Sequence, residues 1–364
     1  MGSATLDNNS KPDVAWRLSF HRMAQINSIR ILGGGLAGLA LAIGLRQRQV
    51  PVEVIEAGYY PRHRVCGELI SATGQNILAS LGFQKELQQA VSHQTVTWWL
   101  KQKKLITATL PTPSLGLSRF YLDHKLSQHL REWGGELHGN QRQEPSRQEG
   151  EVLAIGRVRV PRSDWYGLKI HLKNLELASD LEMHLGKTGY VGLSQVEEGW
   201  INLCGLFRRT KAEGHFENTI NFHLEAAGLP DLAERVKLAV PRPHSQVAVA
   251  GFQCGLNSQK RSPGLLFLGD CERMIPPFTG HGMSMALQSA SLAWDPIVAF
   301  AKQNISWDDC VTRVQQRLDR QFQRPMRYAT WLHPFLLNSW GQKILSWLNT
   351  YRLLPFAHLF HLVR

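Results

Sequence analysis

"SIRILGGGLAGLALAIGLRQRQVPVEVIEAG", residues 28–58, decides the fold. Ile29–Leu32 is a short apolar run that reads as a buried strand. Gly33-Gly34-Gly35-Leu36-Ala37-Gly38 then satisfies the spacing G-x-G-x-x-G. In that spacing Gly33 permits a tight turn and Gly35 lets the backbone approach a pyrophosphate. Gly38 lets a helix pack closely on the strand. "LAGLALAIGLRQR" continues as a helix with its apolar side inward, and "VPVEVIEAG" (50–58) is the next strand. Strand, helix and strand in this order make two parallel neighbours of one sheet. The start of the helix, at Leu36 and Ala37, offers free N–H groups and a positive dipole to phosphates. Glu56 ends the second strand, 18 residues after Gly38, where an acid accepts from the hydroxyl pair of a ribose. An acid there disfavours a 2′-phosphate. This clamp alone does not separate a nicotinamide nucleotide from a flavin.

A second stretch, "GLLFLGDCERMIPPFTGHGMSMALQSA" (264–290), bears on that difference. An apolar strand ends in Gly269-Asp270, and Pro277, Gly280 and Gly282 lead into a long helix. Asp270 is placed to bind a hydroxyl of a polyol chain. The backbone of Gly280–Met283 would aim N–H groups at an electron-rich ring edge. A plain nicotinamide dehydrogenase needs no second nucleotide contact so far downstream. A flavin does, because its ribityl chain and ring reach far from the adenine. His281 sits between two glycines and is a candidate catalytic residue beside such a ring. A hydrogen-bonded loop histidine is the plainer reading of it.

Between the two lies "PRHRVCGELIS" (61–71). Arg62 and Arg64 are candidate phosphate partners, and Gly67 permits close backbone approach. Cys66 is a candidate redox or covalent residue, with an inert buried thiol as the alternative. Glu68 is either an acid–base group or a helix-start carboxylate.

These three stretches resemble the FAD-dependent monooxygenase and geranylgeranyl-reductase-like flavoprotein superfamily, which has the aromatic-hydroxylase fold. The resemblance spans about residues 28–325 and rests on "GGGLAG…VEVIEAG", "RHRVCGELIS" and "GDCERMIPPFTGHGMSMAL". It implies an α/β fold: a Rossmann-like FAD-binding domain with a parallel sheet, interleaved with an antiparallel-sheet substrate domain and a helical C-terminal region. It implies FAD contacts from Gly33, Gly35, Leu36, Ala37, Gly38, Glu56, Arg64, Cys66 and Gly67, and from Gly269, Asp270, Pro277, Gly280, Gly282 and Met283. Arg119, in an Arg…Asp pattern with Asp123, is implied beside the flavin side chain and pyrophosphate. NADPH or NADH is the implied electron donor, with a separate donor as the alternative. Two features depart from the family. "VLAIGRVRVPRSDWYGLK" (152–169) lacks the hydroxylases' Asp-Gly, and Arg157 or Asp164 would take over part of its role. The halogenases' Trp-x-Trp-x-x-Pro is absent, which argues against halogenation. Monooxygenation of an apolar or aromatic small molecule is the first reading. Reduction of a C=C bond is the second, and a non-catalytic FAD-binding protein the third.

The expected FAD domain comprises 26–95, 118–160 and 262–305. The expected substrate domain comprises 96–117 and 161–261, and the helical region 306–364. Residues 1–25 are expected to be a disordered tail, with Met23 a candidate start. Strand-like alternation runs through 95–110, and about 165–255 reads as antiparallel strands interrupted by one helix, "FENTINFHLEAAG", with Glu197, Glu198 and Gly199 a hairpin turn between two of them. "SRFYLDHKLSQHLREWGG" reads as a helix that starts near Asp123. "KIHL" and "EMHL" would let His171 and His184 face a substrate pocket, although satisfied structural histidines are the commoner outcome. The chain of 364 residues carries a net charge of +12 without a basic, aromatic-interleaved block, so no nucleic-acid partner is expected. Five cysteines without CxxC spacing suit a reducing, cytoplasmic setting and supply no metal site. The aromatic, basic tail over 327–364 is expected either to lie on a membrane surface or to cap the flavin domain.

Overall fold

The computed structural model describes residues 26–363 apart from 159, 162, 210–218, 257–263, 352, 354 and 355. The expected disordered tail, 1–25, lies outside the described residues. Ile29–Leu32 pairs in parallel with Val52–Ile55 on one side and Glu151–Leu153 on the other. Leu266–Phe267 and Glu136–His138 complete a five-stranded parallel sheet among the described residues. Ile29, Ile31, Val54 and Val152 are fully buried on the face that packs with the helix Leu36–Arg46, while Arg30 and Glu53 pair at 2.9 Å on the other. Helix α1 (Leu36–Arg46) is apolar on every side, and Leu36 through Leu45 are all buried. Such a helix belongs inside a core rather than at a surface.

Short helices α2 (Ala72–Ser80) and α3 (Gln84–Leu87) follow the second strand. Helix α4 (Arg119–Glu132) begins four residues before the expected Asp123. Ser118 is the reason: its hydroxyl accepts from Tyr121 N–H at 3.0 Å and caps the first turn. The run expected as one strand over 95–110 is a hairpin, Val91–Leu100 and Lys103–Gly116, turning at Lys101 with φ +56°.

The second sheet is mixed rather than antiparallel, which corrects the sequence reading. Its order is Val240–Pro241, Trp165–Lys173, Ile201–Arg208, Gly189–Gln195, Leu181–Leu185, Val91–Leu100, Lys103–Gly116, Leu69–Ile70. Val91–Leu100 runs parallel to Leu181–Leu185. No local sequence signal reports a pairing between strands so far apart in the chain. The sheet also takes Leu69–Ile70 and all of Val91–Leu100, so the boundary expected at 95/96 falls inside a strand. One face carries Leu168, Ile170, Leu172, Leu193, Leu203 and Phe207, covered by α5 (Ile220–Ala226) and α6 (Pro230–Lys237). Register puts Lys169 beside Cys204 and His171 beside Asn202 on the opposite face, toward the parallel-sheet half.

Helices α7 (Gly282–Ala301), α8 (Trp307–Leu337), α9 (Ser339–Thr350) and α10 (Phe356–Leu362) complete the described chain. Helix α7 lies along α1, and Trp294 Nε1–H donates to Ala40 O at 3.3 Å. A Cβ on Gly44 would come within 2.2 Å of the Trp294 indole, so only glycine allows this approach. No helix among the described residues is long and apolar enough to cross a membrane.

A glycine-to-alanine change inside a helix ordinarily stabilises by about 1 kcal/mol. Gly44→Ala is expected to reverse that sign, destabilising by about 1–3 kcal/mol through overpacking on Trp294. Chemical denaturation of the two proteins measures it.

Candidate active site

The glycine turn has the three geometries its spacing demands. Gly33 has φ +107°, and a Cβ there would lie 2.2 Å from Ala154 O. A Cβ on Gly38 would lie 1.9 Å from Gly33 O, so helix and turn touch backbone to backbone. Gly35 differs, because a Cβ there would meet nothing nearer than an Arg119 nitrogen at 3.9 Å. Its open side is where an outside group can approach the backbone. No side chain caps α1, so its first N–H groups face the same space. Gly269, at φ +67°, packs against Ala37, which sets Asp270 beside the start of α1.

A second helix end joins the first. Helix α7 starts after Gly280 (φ +63°) and His281, again without a side-chain cap. Pro277 lies in the short turn before it, Met283 is buried in its first turn, and Gly282 faces open space. Gly67 faces open space as well. Ser284 fastens these parts together: its Oγ accepts from Ser71 N–H at 2.9 Å and meets the Ser71 hydroxyl at 2.8 Å. The Cys66–Ser71 loop is thereby tied to the α7 N-terminus. His281 is buried, with its backbone N–H on Thr279 Oγ1 at 3.3 Å.

An ionic lattice walls the glycine turn. Glu56 is buried and accepts from Gly34 N–H and Gly58 N–H, each at 2.8 Å. Arg62 pairs with it, and Arg64 approaches at 3.5 Å. Burial alone would raise the Glu56 pKa, but Arg64, Arg62 and the two N–H groups hold it below the usual carboxylate range. The sequence reading left the carboxylate open for a ribose. Here protein donors already surround it, and a diol would have to displace Arg62, the partly exposed donor. Arg119 grips the fully buried Asp123 with two bonds, at 2.7 and 2.8 Å, and Arg64 Nε–H donates to the same carboxylate at 3.1 Å. Asp270 is ringed by protein yet open to solvent, the signature of a residue lining a cleft. Burial pushes its pKa up, and Arg119, Arg157 and Arg64 offset part of that rise. Of the two residues expected to replace the missing Asp-Gly, Arg157 therefore reaches the site's field. Asp164 stays exposed, its carbonyl bonded to Arg209 N–H at 2.8 Å.

Cys66 and Glu68 sit where the loop meets the mixed sheet. Asn202 Nδ2–H donates to Cys66 O at 3.0 Å, and Ser194 O–H donates to Gly67 O at 3.2 Å. Burial pushes the Cys66 thiol up, and nearby Arg119 offsets only part of it, so Cys66 carries its proton at neutral pH. That weakens its reading as a thiolate nucleophile. Glu68 is fully buried at φ +56°. It accepts from Arg119 N–H at 3.0 Å, faces Lys169 Nζ at 3.2 Å and bonds His171 Nε2 at 2.6 Å. Burial would raise its pKa, but Lys169, His171 and the Arg119 N–H hold it below the usual range. Lys169 Nζ–H also donates to His63 Nδ1 at 3.0 Å. Burial, then Lys169, pushes the His63 pKa down to about 3, which keeps the ring neutral. Buried His171 Nδ1 and Asn202 Oδ1, on this sheet face, have no partner.

The sequence reading missed His63, Lys169 and Asn202. Strand alternation could have placed Lys169 beside His171 on one face. The expectation that His171 and His184 share a pocket fails on register. His184 lies opposite Val191 and His171 opposite Asn202, so the two point to different sides. His184 bonds Glu182 at 2.7 Å, and Arg235 closes that pair at 3.0 Å.

Glu68→Gln is expected to cost about 3–5 kcal/mol at neutral pH, because Lys169 stays buried without its carboxylate. The Glu68 pKa is lowered on folding, so its stabilisation is present above the unfolded value of about 4.3 and lost as pH falls through the folded one. The stability gap between the two proteins should accordingly narrow in acid. Urea titrations at several pH values measure both.

No family model matches this sequence, and no curated protein matches it. Solved structures share its fold. The flavin-dependent brominase Bmp2 aligns with TM-score 0.73 at 16% identity, covering 92% of this chain and 92% of its own. PqsL of Pseudomonas aeruginosa, in complex with 2-aminobenzoylacetate, aligns with TM-score 0.67 at 15% identity over 87% of this chain and 98% of its own. A geranylgeranyl bacteriochlorophyll reductase-like protein from Thermoplasma acidophilum aligns with TM-score 0.68 at 16% identity over 90% and 91%. The chain therefore has the two-sheet fold of these proteins.

Proposed function

We propose that this chain is an FAD-dependent oxidoreductase, and that it acts as a monooxygenase on an apolar small molecule. One observation carries the reading. The uncapped start of α1 lies beside Gly269, and Gly269 and Asp270 line one cleft with Gly282 and Met285 at the uncapped start of α7, where missing side chains leave open space. Gly35 and the first turn of α1 would hold the pyrophosphate, with Arg64 and Arg119 nearby. Asp270 would bind the ribityl chain. The N–H groups of Gly282 and Met283 would meet the ring edge, those of Gly280 and His281 being donated to Pro277 O and Thr279 Oγ1, and Gly67 would let the loop approach the ring. These residues fit an elongated, twice-anchored dinucleotide better than NAD.

FAD held by these residues would supply two-electron transfer from NADPH, NADH or a separate donor to O2 or to a C=C bond. In the first case one oxygen atom enters the substrate and the other leaves as water. The protein's part is to orient, shield and manage protons. Trp165, Tyr190, Phe278 and His333 form an aromatic group that would exclude water: Tyr190–Phe278 at 6.3 Å, Tyr190–His333 at 5.7 Å and Trp165–His333 at 5.5 Å. Glu68 would stay ionised and hold Lys169 and His171 in place, with neutral His63 leading outward from Lys169. A second reading, C=C reduction, is supported by the protonated Cys66 thiol, which could supply the proton that follows a hydride. Halogenation is not proposed, because the chain lacks Trp-x-Trp-x-x-Pro.

Gly35→Val separates binding from folding, since the protein itself leaves room there. The variant is expected to melt like the parent and to bind FAD at least about tenfold more weakly, a loss of roughly 1.4 kcal/mol or more. NADPH added without oxygen should bleach the FAD-loaded parent. Readmitted oxygen should then be consumed one-for-one with oxygenated product. Product carrying two new hydrogens, with no oxygen uptake, would select the reductase reading. FAD that no nicotinamide or protein donor reduces would leave a non-catalytic flavoprotein.

A further inference from the structure

The C-terminal helices carry a surface that the site does not use. Along α8, Phe322, Met326, Ala329, Leu332 and Leu336 are buried and face the core. Tyr328, Trp331 and Phe335 recur at spacings of three and four on the opposite side. Trp331 is 68% exposed. Helix α9 repeats the arrangement. Gly341, Gln342 and Leu345 face inward, and Gln342 Nε2–H donates to Gly186 O at 2.7 Å, which fixes the helix against the mixed sheet. Trp340 and Trp347 face outward, 66% and 55% exposed. The rings form a chain across the turn between the helices. Trp331 stacks on Phe335 at 6.3 Å, and Phe335 meets Trp340 edge-on at 6.0 Å. Trp347 and Tyr351 continue it at 5.1 Å.

Charge selects the occupant. Arg320, Arg324, Arg327 and Lys343 are exposed along the same helices. No aspartate or glutamate follows Asp319 in the sequence. A second copy docking through the same face would bring this positive charge against itself. An anionic bilayer would neutralise it, and its interface suits tryptophan and tyrosine, whose rings carry both an apolar body and a polar edge.

We infer that the outer face of α8 and α9 docks on the surface of an anionic lipid bilayer, with Trp331, Trp340 and Trp347 seated among the headgroups and the four cations paired with lipid phosphates. The chain lies on the membrane and does not cross it. Helix α8 then has the bilayer on one side, while His333 on its other side packs against Tyr190 and Phe278 of the aromatic group. The inference needs no bound flavin.

The test is co-sedimentation of the full chain with vesicles of phosphatidylcholine mixed with phosphatidylglycerol, and with vesicles of phosphatidylcholine alone. Binding to the anionic vesicles is expected, with a blue shift of tryptophan emission. It should weaken about tenfold or more without the anionic lipid, or in roughly 1 M salt, where the screening length falls to about 3 Å. The triple variant Trp331→Ser/Trp340→Ser/Trp347→Ser should lose most of the binding and melt like the parent, since all three rings lie outside the core. Arg324→Glu/Arg327→Glu should lose the preference for anionic lipid. Three results would overturn the inference: no binding to either vesicle, binding that the triple variant retains, or a stable parent dimer that the triple variant dissociates. FAD retention, measured on the same samples, reports on the flavin reading separately.

Discussion

The contact between the glycine turn and the first helix is the constraint on which the rest of the structure depends. Gly38 sits so close to Gly33 O that no side chain fits between them. That closeness carries α1 directly off the end of the central strand and points its uncapped end at the cleft. The same economy recurs along α1. Gly44 admits Trp294, which brings α7 alongside, and Gly269 rests on Ala37, which brings Asp270 to the helix start. Larger residues at these glycines would push apart the two helix ends that the site requires.

Charge then joins α4 to the mixed sheet. Glu68 stands in the Cys66–Ser71 loop against the mixed sheet, and its carboxylate takes its partners from elsewhere in the chain: Arg119 from α4, Lys169 and His171 from one strand. A buried carboxylate with three donors costs little only when all three are present. The cluster therefore ties the start of α4 and the Cys66–Ser71 loop to the strand Trp165–Lys173. Asp123 serves α4 in the same way, holding Arg119 and Arg64 together. The site's cations are thus held by acids within the fold, and their positions do not depend on a ligand.

Much of this was legible in the sequence because it is local. The strand, glycine turn, helix and second strand of 28–58 fall where periodicity and spacing put them, and so does the helix after Gly282. So does the turn at Glu197–Gly199, which joins the antiparallel strands Gly189–Gln195 and Ile201–Arg208. What the sequence did not disclose is pairing at a distance. Nothing near Val91 announces that its strand will run parallel to Leu181–Leu185. Lys169 is far in the chain from His63 and Glu68, and only the fold brings it to them. His171 and His184 look equivalent in "KIHL" and "EMHL", yet register alone sends them to opposite faces. Glu56 was identified as a carboxylate at a strand end, but the two arginines that cover it could be placed only by the loop's path.

The central claim is that the paired helix ends hold FAD. The most direct test is the absorbance spectrum of the full chain after incubation with FAD and removal of free ligand, beside a sample treated in the same way with NAD. The account expects flavin bands at close to one FAD per chain, shifted from those of free FAD, and no retained NAD. A chain that keeps no flavin, or that keeps NAD in its place, would contradict it.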